Sequence, residues 1–341
     1  MAIFILTVAS LLACVQPAER IFRNVDWYGL RTTELAEAEK ALGVKAGEAA
    51  VFDREAATER LRSLEGVADA VVIQMLAPGN ETLLVGIEEV GAPKLQLRPE
   101  PTGSERLPDR FVATYEACLE ATFEGLKRGV ADEEHVEGYA LSKYRKARAR
   151  ELELRDLARA HAELLPRVLG QSADAKHREV AASAIAYLLD KAVVVASLER
   201  AMTDADSGVR NNATRALAVL ADWANSQEDF RLDLDPTPIL AMLESLEWTD
   251  RNKATALLYH LTESRDEALM AAVREKSIPA LEEMALWSLP GYAYPALMTL
   301  GRIAGMDDNE LASGPDGRSP ERLAARRTWI REIASKARAP R

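Results

Sequence analysis

Acid–base or metal chemistry in this chain would have to be built around four histidines, His135, His161, His177 and His260, and their spacing matches no established motif. None forms HExxH or HxH, and none is directly followed by glutamate. The nucleophile elbow GxSxG, the phosphate-cradling P-loop and GxGxxG are absent too. Cys14 and Cys118 are the two cysteines, too few for a disulfide framework and too far apart for CxxC. Cys118 falls in an apolar helical stretch and reads as a small buried thiol, the alternative being a nucleophile. The expectation is therefore no catalytic residue, no metal ligand and no cofactor. Only a site assembled from distant positions would escape it.

Charge narrows the partners. A net charge of −11 opposes nucleic acid, whose phosphates require a basic stripe. Among the tryptophans, Trp287 stands apart, because Ser-Leu-Pro-Gly separates it from Tyr292 and Tyr294. In a loop between two helices these three rings could line a recognition surface, since rigid aromatics lose little entropy on binding. The other reading is that they pack the corner of a helical hairpin.

These residues need a frame. With 48% hydrophobic and 28% charged residues over 341 positions, the chain has enough apolar mass for two domains and a large core. Residues 1–13, MAIFILTVASLLA, are too short an apolar run to span a bilayer but suit a signal-peptide core. Leu11-Leu12-Ala13-Cys14 resembles the lipobox of bacterial lipoproteins, which implies cleavage before Cys14 and lipidation of that residue. An ordinary cleaved secretion signal and a buried terminal strand or helix are the alternatives. Several acyl chains, at roughly 0.8 kcal/mol per buried methylene, would hold the protein to a membrane by the anchor alone.

Residues 20–92 alternate strand and helix signals. Ile21, Val25 and Trp27 precede Gly29 as a strand and turn. A helix follows with Thr32 or Thr33 as cap and Gly43 at its end, then another capped by Asp53. Two apolar runs, Val67–Leu76 and Thr82–Glu88, flank Ala-Pro-Gly-Asn as a hairpin. This β-α-α-β-β order, with Gly29, Gly47, Gly66 and the closing LLVGIEE, resembles a POTRA module. The resemblance implies capture of extended polypeptide by strand addition, and the run around Leu84 is the expected open edge.

Residues 93–107 are rich in proline and polar residues and read as a linker. A connecting segment, 108–150, opens with a helix whose stripe is Val112, Tyr115, Leu119, Phe123 and Leu126. Its acidic-then-basic run ADEEHVEGYALSKYRKARAR reads as a further helix or helices.

From 151 to 341 the pattern is helical and repeats. Arg178, Ala181, Ala184, Ile185 and Leu188 match Arg210, Ala213, Ala216, Leu217 and Leu220, and Arg251, Ala254, Leu257, Leu258 and Leu261 match both. A weaker copy sits at Ala293, Leu297 and Leu300, with Pro290 at the arginine position. Two helices per copy at this spacing point to a solenoid. The stretch AMTDADSGVRNNATRAL resembles the second helix of a HEAT repeat. By that resemblance Asp206, before the helix, and Arg210, inside it, bond between neighbouring repeats, with Arg178 and Arg251 at the same arginine position. SGPDG at 313–317 is a loop, and a last helix capped by Ser319 closes the chain.

The expected fold is α+β: a small POTRA-like domain followed by an all-α HEAT-repeat solenoid. Two enzyme classes share that solenoid. Deoxyhypusine hydroxylases hold iron through His-Glu pairs, which are missing here. Alkylpurine DNA glycosylases need a basic groove, which the charge opposes. The expected function is a non-catalytic scaffold in the bacterial cell envelope, lipid-anchored and facing the periplasm, that binds protein partners through the solenoid's concave face and the sheet edge. A periplasmic hydrolase-like enzyme with its site between the two domains, or a cytoplasmic scaffold, are the alternatives.

Overall fold

The computed structural model describes residues 19–77, 80–315 and 320–339. The apolar run 1–13, Cys14, residues 316 and 317 of the expected loop and the Ser319 cap lie outside them. The fold is α+β, a small strand-containing N-terminal region followed by a mostly helical part. Among the described residues no helix is long and apolar enough to cross a membrane.

The N-terminal elements are β1 (Glu19–Ile21), β2 (Asn24–Tyr28), α1 (Leu35–Leu42), β3 (Ala49–Val51), α2 (Arg54–Arg62), β4 (Val67–Ala77) and β5 (Asn80–Glu89). Then come α3 (Asp109–Lys127), β6 (Glu133–Val136), β7 (Tyr139–Ser142), α4 (Arg145–Ala160), α5 (Leu164–Gln171), α6 (Ala175–Ala184), α7 (Lys191–Ala201) and α8 (Ser207–Asn225). The chain continues through α9 (Pro236–Met242), α10 (Trp248–Leu261), α11 (Glu267–Lys276), α12 (Ile278–Ala285), α13 (Pro290–Ile303), α14 (Asp308–Ala312) and α15 (Pro320–Arg338). These elements form two compact units. One comprises Leu95–Met242 and Thr249–Leu269, the other the described residues up to Lys94 with Leu243–Trp248 and those from Met270 on.

In the second unit the main sheet has the order β2-β5-β4, with β2 parallel and β4 antiparallel to β5. Asp53 caps α2, its Oδ1 accepting from the Ala56 N–H at 3.0 Å, and Gly43 ends α1 at φ 73°. The cap expected at Thr32 or Thr33 is not made there. Glu34 occupies the cap position of α1 without a side-chain bond, while Thr32 and Thr33 donate to the buried carboxylate of Glu89. Phe22, Leu42, Phe52, Leu61, Leu83, Val85 and Ile87 fill the core between helices and sheet. Elsewhere in this unit α12, α13 and α15 pack against one another.

In the first unit α5 packs on α6 and α7 on α8, while α6 also packs on α8 and α5 on α7. Each helix thus touches its hairpin partner and its counterpart in the next pair, a solenoid-like arrangement. Asp206 caps α8, accepting from the Val209 N–H at 3.0 Å. Residues 95–107 are laid against these helices rather than left as a free tether. Arg98 N–H donates to Thr203 O at 2.7 Å, Gly103 N–H to Gln171 O at 2.8 Å, and Leu107 N–H to His177 Nδ1 at 3.0 Å.

Two helical expectations are corrected here. The run after 130 contains the hairpin β6–β7, because Glu137 (φ 49°) and Gly138 (φ 81°) form a two-residue turn with positive φ at both positions. In α3 the buried stripe is Phe111, Thr114, Tyr115, Cys118, Ala121 and Gly125. The face narrows to Cys118, Ala121 and Gly125 towards its C-terminal end, where the start of α4 approaches closely: a Cβ on Gly125 would stand 3.0 Å from the Tyr144 ring.

Candidate functional site

Three segments of the first unit bring a cluster of ligand-type side chains together. The β6–β7 hairpin carries His135 and is pinned to α8 by Arg215, whose guanidinium donates to both carboxylate oxygens of Glu133 at 2.5 and 2.7 Å. One turn before the end of α8 stands Asp222. His260 is the penultimate residue of α10, and Glu263 lies in the 3-10 turn Thr262–Ser264 that follows. Thr262 helps form that turn by donating its hydroxyl to Leu258 O at 2.7 Å, and Arg265, at φ 54°, ends it. A helix followed by one tighter turn thus puts His260 and Glu263, three residues apart, on one side.

Asp222 bridges the two imidazoles. His135 Nδ1 lies 2.5 Å from Asp222 Oδ2, and His260 Nδ1 lies 3.1 Å from Asp222 Oδ1 and 3.5 Å from Glu263 Oε1. The first is a hydrogen bond. At His260 neither contact meets hydrogen-bond geometry, so its Nδ1 is buried without a hydrogen bond. Asn225 Nδ2 donates to Glu263 Oε2 at 2.8 Å and to His260 O at 2.9 Å, fixing the last turn.

The electrostatics follow from this crowding. The bond from His135, then the closeness of His260, hold the Asp222 carboxyl well below the usual carboxylate range against the opposing effect of burial. Burial alone would lower the pKa of His260, but the carboxylates of Asp222 and Glu263 outweigh it and raise it. Asp222, His260 and Glu263 each offer a ligand atom, all within 4.8 Å of one another. The donor set, one imidazole and two carboxylates, suits a divalent transition ion. In the sequence no histidine forms HExxH or HxH and none directly precedes a glutamate. The i,i+3 spacing of His260 and Glu263 was the available local signal, and Asp222 and His135 reach it only through the fold.

The residues singled out in the sequence lie elsewhere. Leu84 is not at a sheet edge: β5 is the central strand and Leu84 is buried. The run Thr82–Glu88 is apolar at nearly every position, as in a strand covered on both faces, whereas a half-exposed edge strand alternates. Nor do the aromatics form a loop surface. Trp287 is buried, donates Nε1–H to Trp27 O at 3.3 Å and meets the Tyr28 ring edge-on at 5.9 Å. Tyr292 and Tyr294 belong to α13, which starts at Pro290, and Tyr292 packs on Trp248 at 5.4 Å. Pro290 starts the helix early because its fixed φ suits a first turn.

Arg178 and Arg210 do link successive helix pairs, but their acids differ from the expected one. Arg178 grips Asp204 at 2.8 to 3.3 Å and Ser172 O at 2.9 Å. Arg210 grips Asp250 at 2.8 to 3.1 Å and Asp204 O at 2.9 Å. Asp206 is occupied by its capping bond, and Asp204, two residues earlier, is the buried acid. Arg251 is buried beside Asp250. In the other unit Arg302 makes the same two-pronged contact with Asp308.

No protein-family model matches the chain, and no curated protein matches its sequence.

Proposed function

We propose that this chain is a non-catalytic scaffold of the bacterial cell envelope, held to the membrane by a lipid on Cys14, that binds protein partners. The observation that carries the reading is the buried arginine ladder. Arg178–Asp204 ties the α5–α6 pair to the α7–α8 pair and Arg210–Asp250 ties α8 to α10, and a HEAT-like array held in this way offers a stable extended surface. The sheet, read as POTRA-like, supplies a second surface. Its central strand is closed, and β2 is met by Ser288, whose N–H and hydroxyl donate to Asp26 Oδ2 at 2.8 and 2.7 Å. The outer strand β4 pairs on one side only among the described residues, so an extended partner adds there.

Adjacent proline substitutions test it. Along an antiparallel strand, successive N–H groups point alternately to the partner strand and outward. Of Ile73→Pro and Gln74→Pro, one therefore breaks the β4–β5 ladder and the other touches only the outer edge. The outward-facing variant keeps its melting temperature and loses the envelope proteins that the parent chain captures, identified by mass spectrometry. Unchanged capture rejects strand addition. Palmitate labelling that persists in Cys14→Ser rejects the anchor.

A further inference from the structure

We propose that His260, Asp222 and Glu263 form a binding site for a divalent transition ion of the zinc type, with His135 and Asn225 orienting the ligands from behind. The inference is independent of the scaffold reading.

His260 is the second observation that lifts this site above a cluster of acids. Its side chain is only 8% exposed, and its Nδ1 is aimed between two carboxylates without hydrogen-bonding either. In that pose Nδ1 faces two carboxylate oxygens with either a lone pair or an N–H that hydrogen-bonds to neither, and in a buried site both leave it unsatisfied. A cation among the three atoms removes the conflict. Ligands about 2.1 Å from a tetrahedral ion stand about 3.4 Å from each other, and the 3.1 and 3.5 Å separations from His260 Nδ1 bracket that value.

The surroundings have the form that metal ligands need. Asp222 has Oδ1 3.1 Å from His260 Nδ1 while its Oδ2 takes the bond from His135, and Glu263 has Oε1 3.5 Å from the same nitrogen while its Oε2 takes the bond from Asn225. Each carboxylate is thus oriented through its second oxygen, as ligating groups commonly are. The imidazole nitrogen favours zinc-like ions over magnesium and calcium, which take oxygen ligands. Asp222 is 38% and Glu263 32% exposed at the side chain, while His260 is buried. The ion therefore enters from solvent on the carboxylate side, where water completes its coordination.

The experiment is calorimetric titration of the chelator-stripped full-length chain with ZnCl2, MgCl2 and CaCl2, alongside the visible spectrum of the CoCl2-loaded protein. The expected result is one zinc equivalent per chain, no saturable magnesium or calcium binding, and cobalt ligand-field bands. His260→Ala abolishes the zinc isotherm and the bands. His135→Gln, which removes an orienting group, weakens zinc roughly 10- to 100-fold. Should His260→Ala fail to fold, Glu263→Gln and Asp222→Asn carry the test, with the metal-free melting curve as the check on folding. Absence of saturable zinc binding by the parent chain overturns the proposal. So does zinc binding that His260→Ala, Glu263→Gln and Asp222→Asn leave unchanged.

Discussion

Arg210 and Asp250 are 40 residues apart and meet in a buried two-pronged ion pair, with Nε and a terminal guanidinium nitrogen 2.8 to 3.1 Å from the carboxylate. Such a pair need not add much stability over an apolar core, but losing one partner leaves a charge buried and uncompensated. Asp250→Ala and Asp204→Ala are each expected to cost about 3–5 kcal/mol. Asp206→Ala removes only a helix cap and should cost about 1 kcal/mol. Urea midpoints of the three variants check the ranking, and an equal loss for Asp206 and Asp204 would return the ladder role to Asp206.

Local features of this fold could be read from the residues, and pairings between distant segments could not. The Asp53 and Asp206 caps and the left-handed Gly43 each depend on a few neighbouring residues. The central place of β5 depends on a parallel partner: Asn24 and Thr82, 58 residues apart, are joined by a side-chain bond. The turn of β6–β7 was hidden because a glutamate, rather than the usual asparagine or glycine, occupies its first left-handed position. The histidine cluster was hidden for the same reason as β5. Its members come from a hairpin, a helix and a turn, and only His260 and Glu263 are sequence neighbours.

Glu89 sets an acid limit on the N-terminal sheet. Burial alone would raise its pKa, but the Thr32 hydroxyl and the N–H groups of Arg31, Thr32 and Thr33 outweigh this and bring it to about 2, from an ordinary glutamate value of 4.5. A pKa depressed by folding contributes stability that is full above the unfolded value and is lost as pH falls. The parent chain should therefore lose stability between about pH 4.5 and pH 2. Glu89→Gln, less stable at neutral pH, should show a smaller loss over that range. Melting temperatures across the range check it, and parallel curves would remove Glu89 as the cause.

Gly29 and Gly91 share a φ of 82° in different surroundings, which separates backbone strain from steric exclusion. A Cβ on Gly29 would stand 2.0 Å from Ile87 O of the central strand, whereas one on Gly91 meets nothing within 4 Å. Gly91→Ala should cost about 1 kcal/mol, the strain of a left-handed alanine. Gly29→Ala adds a collision with backbone that no rotamer relieves, and should cost at least about 3 kcal/mol. Chemical denaturation of the two variants makes the comparison. Similar losses would mean that β5 yields to the added methyl.

Cys118 should be chemically silent while the protein is folded. Burial, with the nearby acids Glu151 and Glu153, pushes its thiol up to about 12. At pH 8 the reactive thiolate is then about one part in ten thousand, against roughly a quarter for a free cysteine. The thiol is also buried on the face that α3 turns to its neighbours, so a disulfide reagent has no approach to it. In a Cys14→Ser chain, where Cys118 is the remaining thiol, Ellman's reagent at pH 8 should release thionitrobenzoate promptly only after denaturant is added. Without denaturant, slow release should follow the opening of the helices rather than the reagent concentration. A prompt stoichiometric reaction of the native chain would show that the α3 face is open to solvent, contrary to the packing of Gly125 on Tyr144.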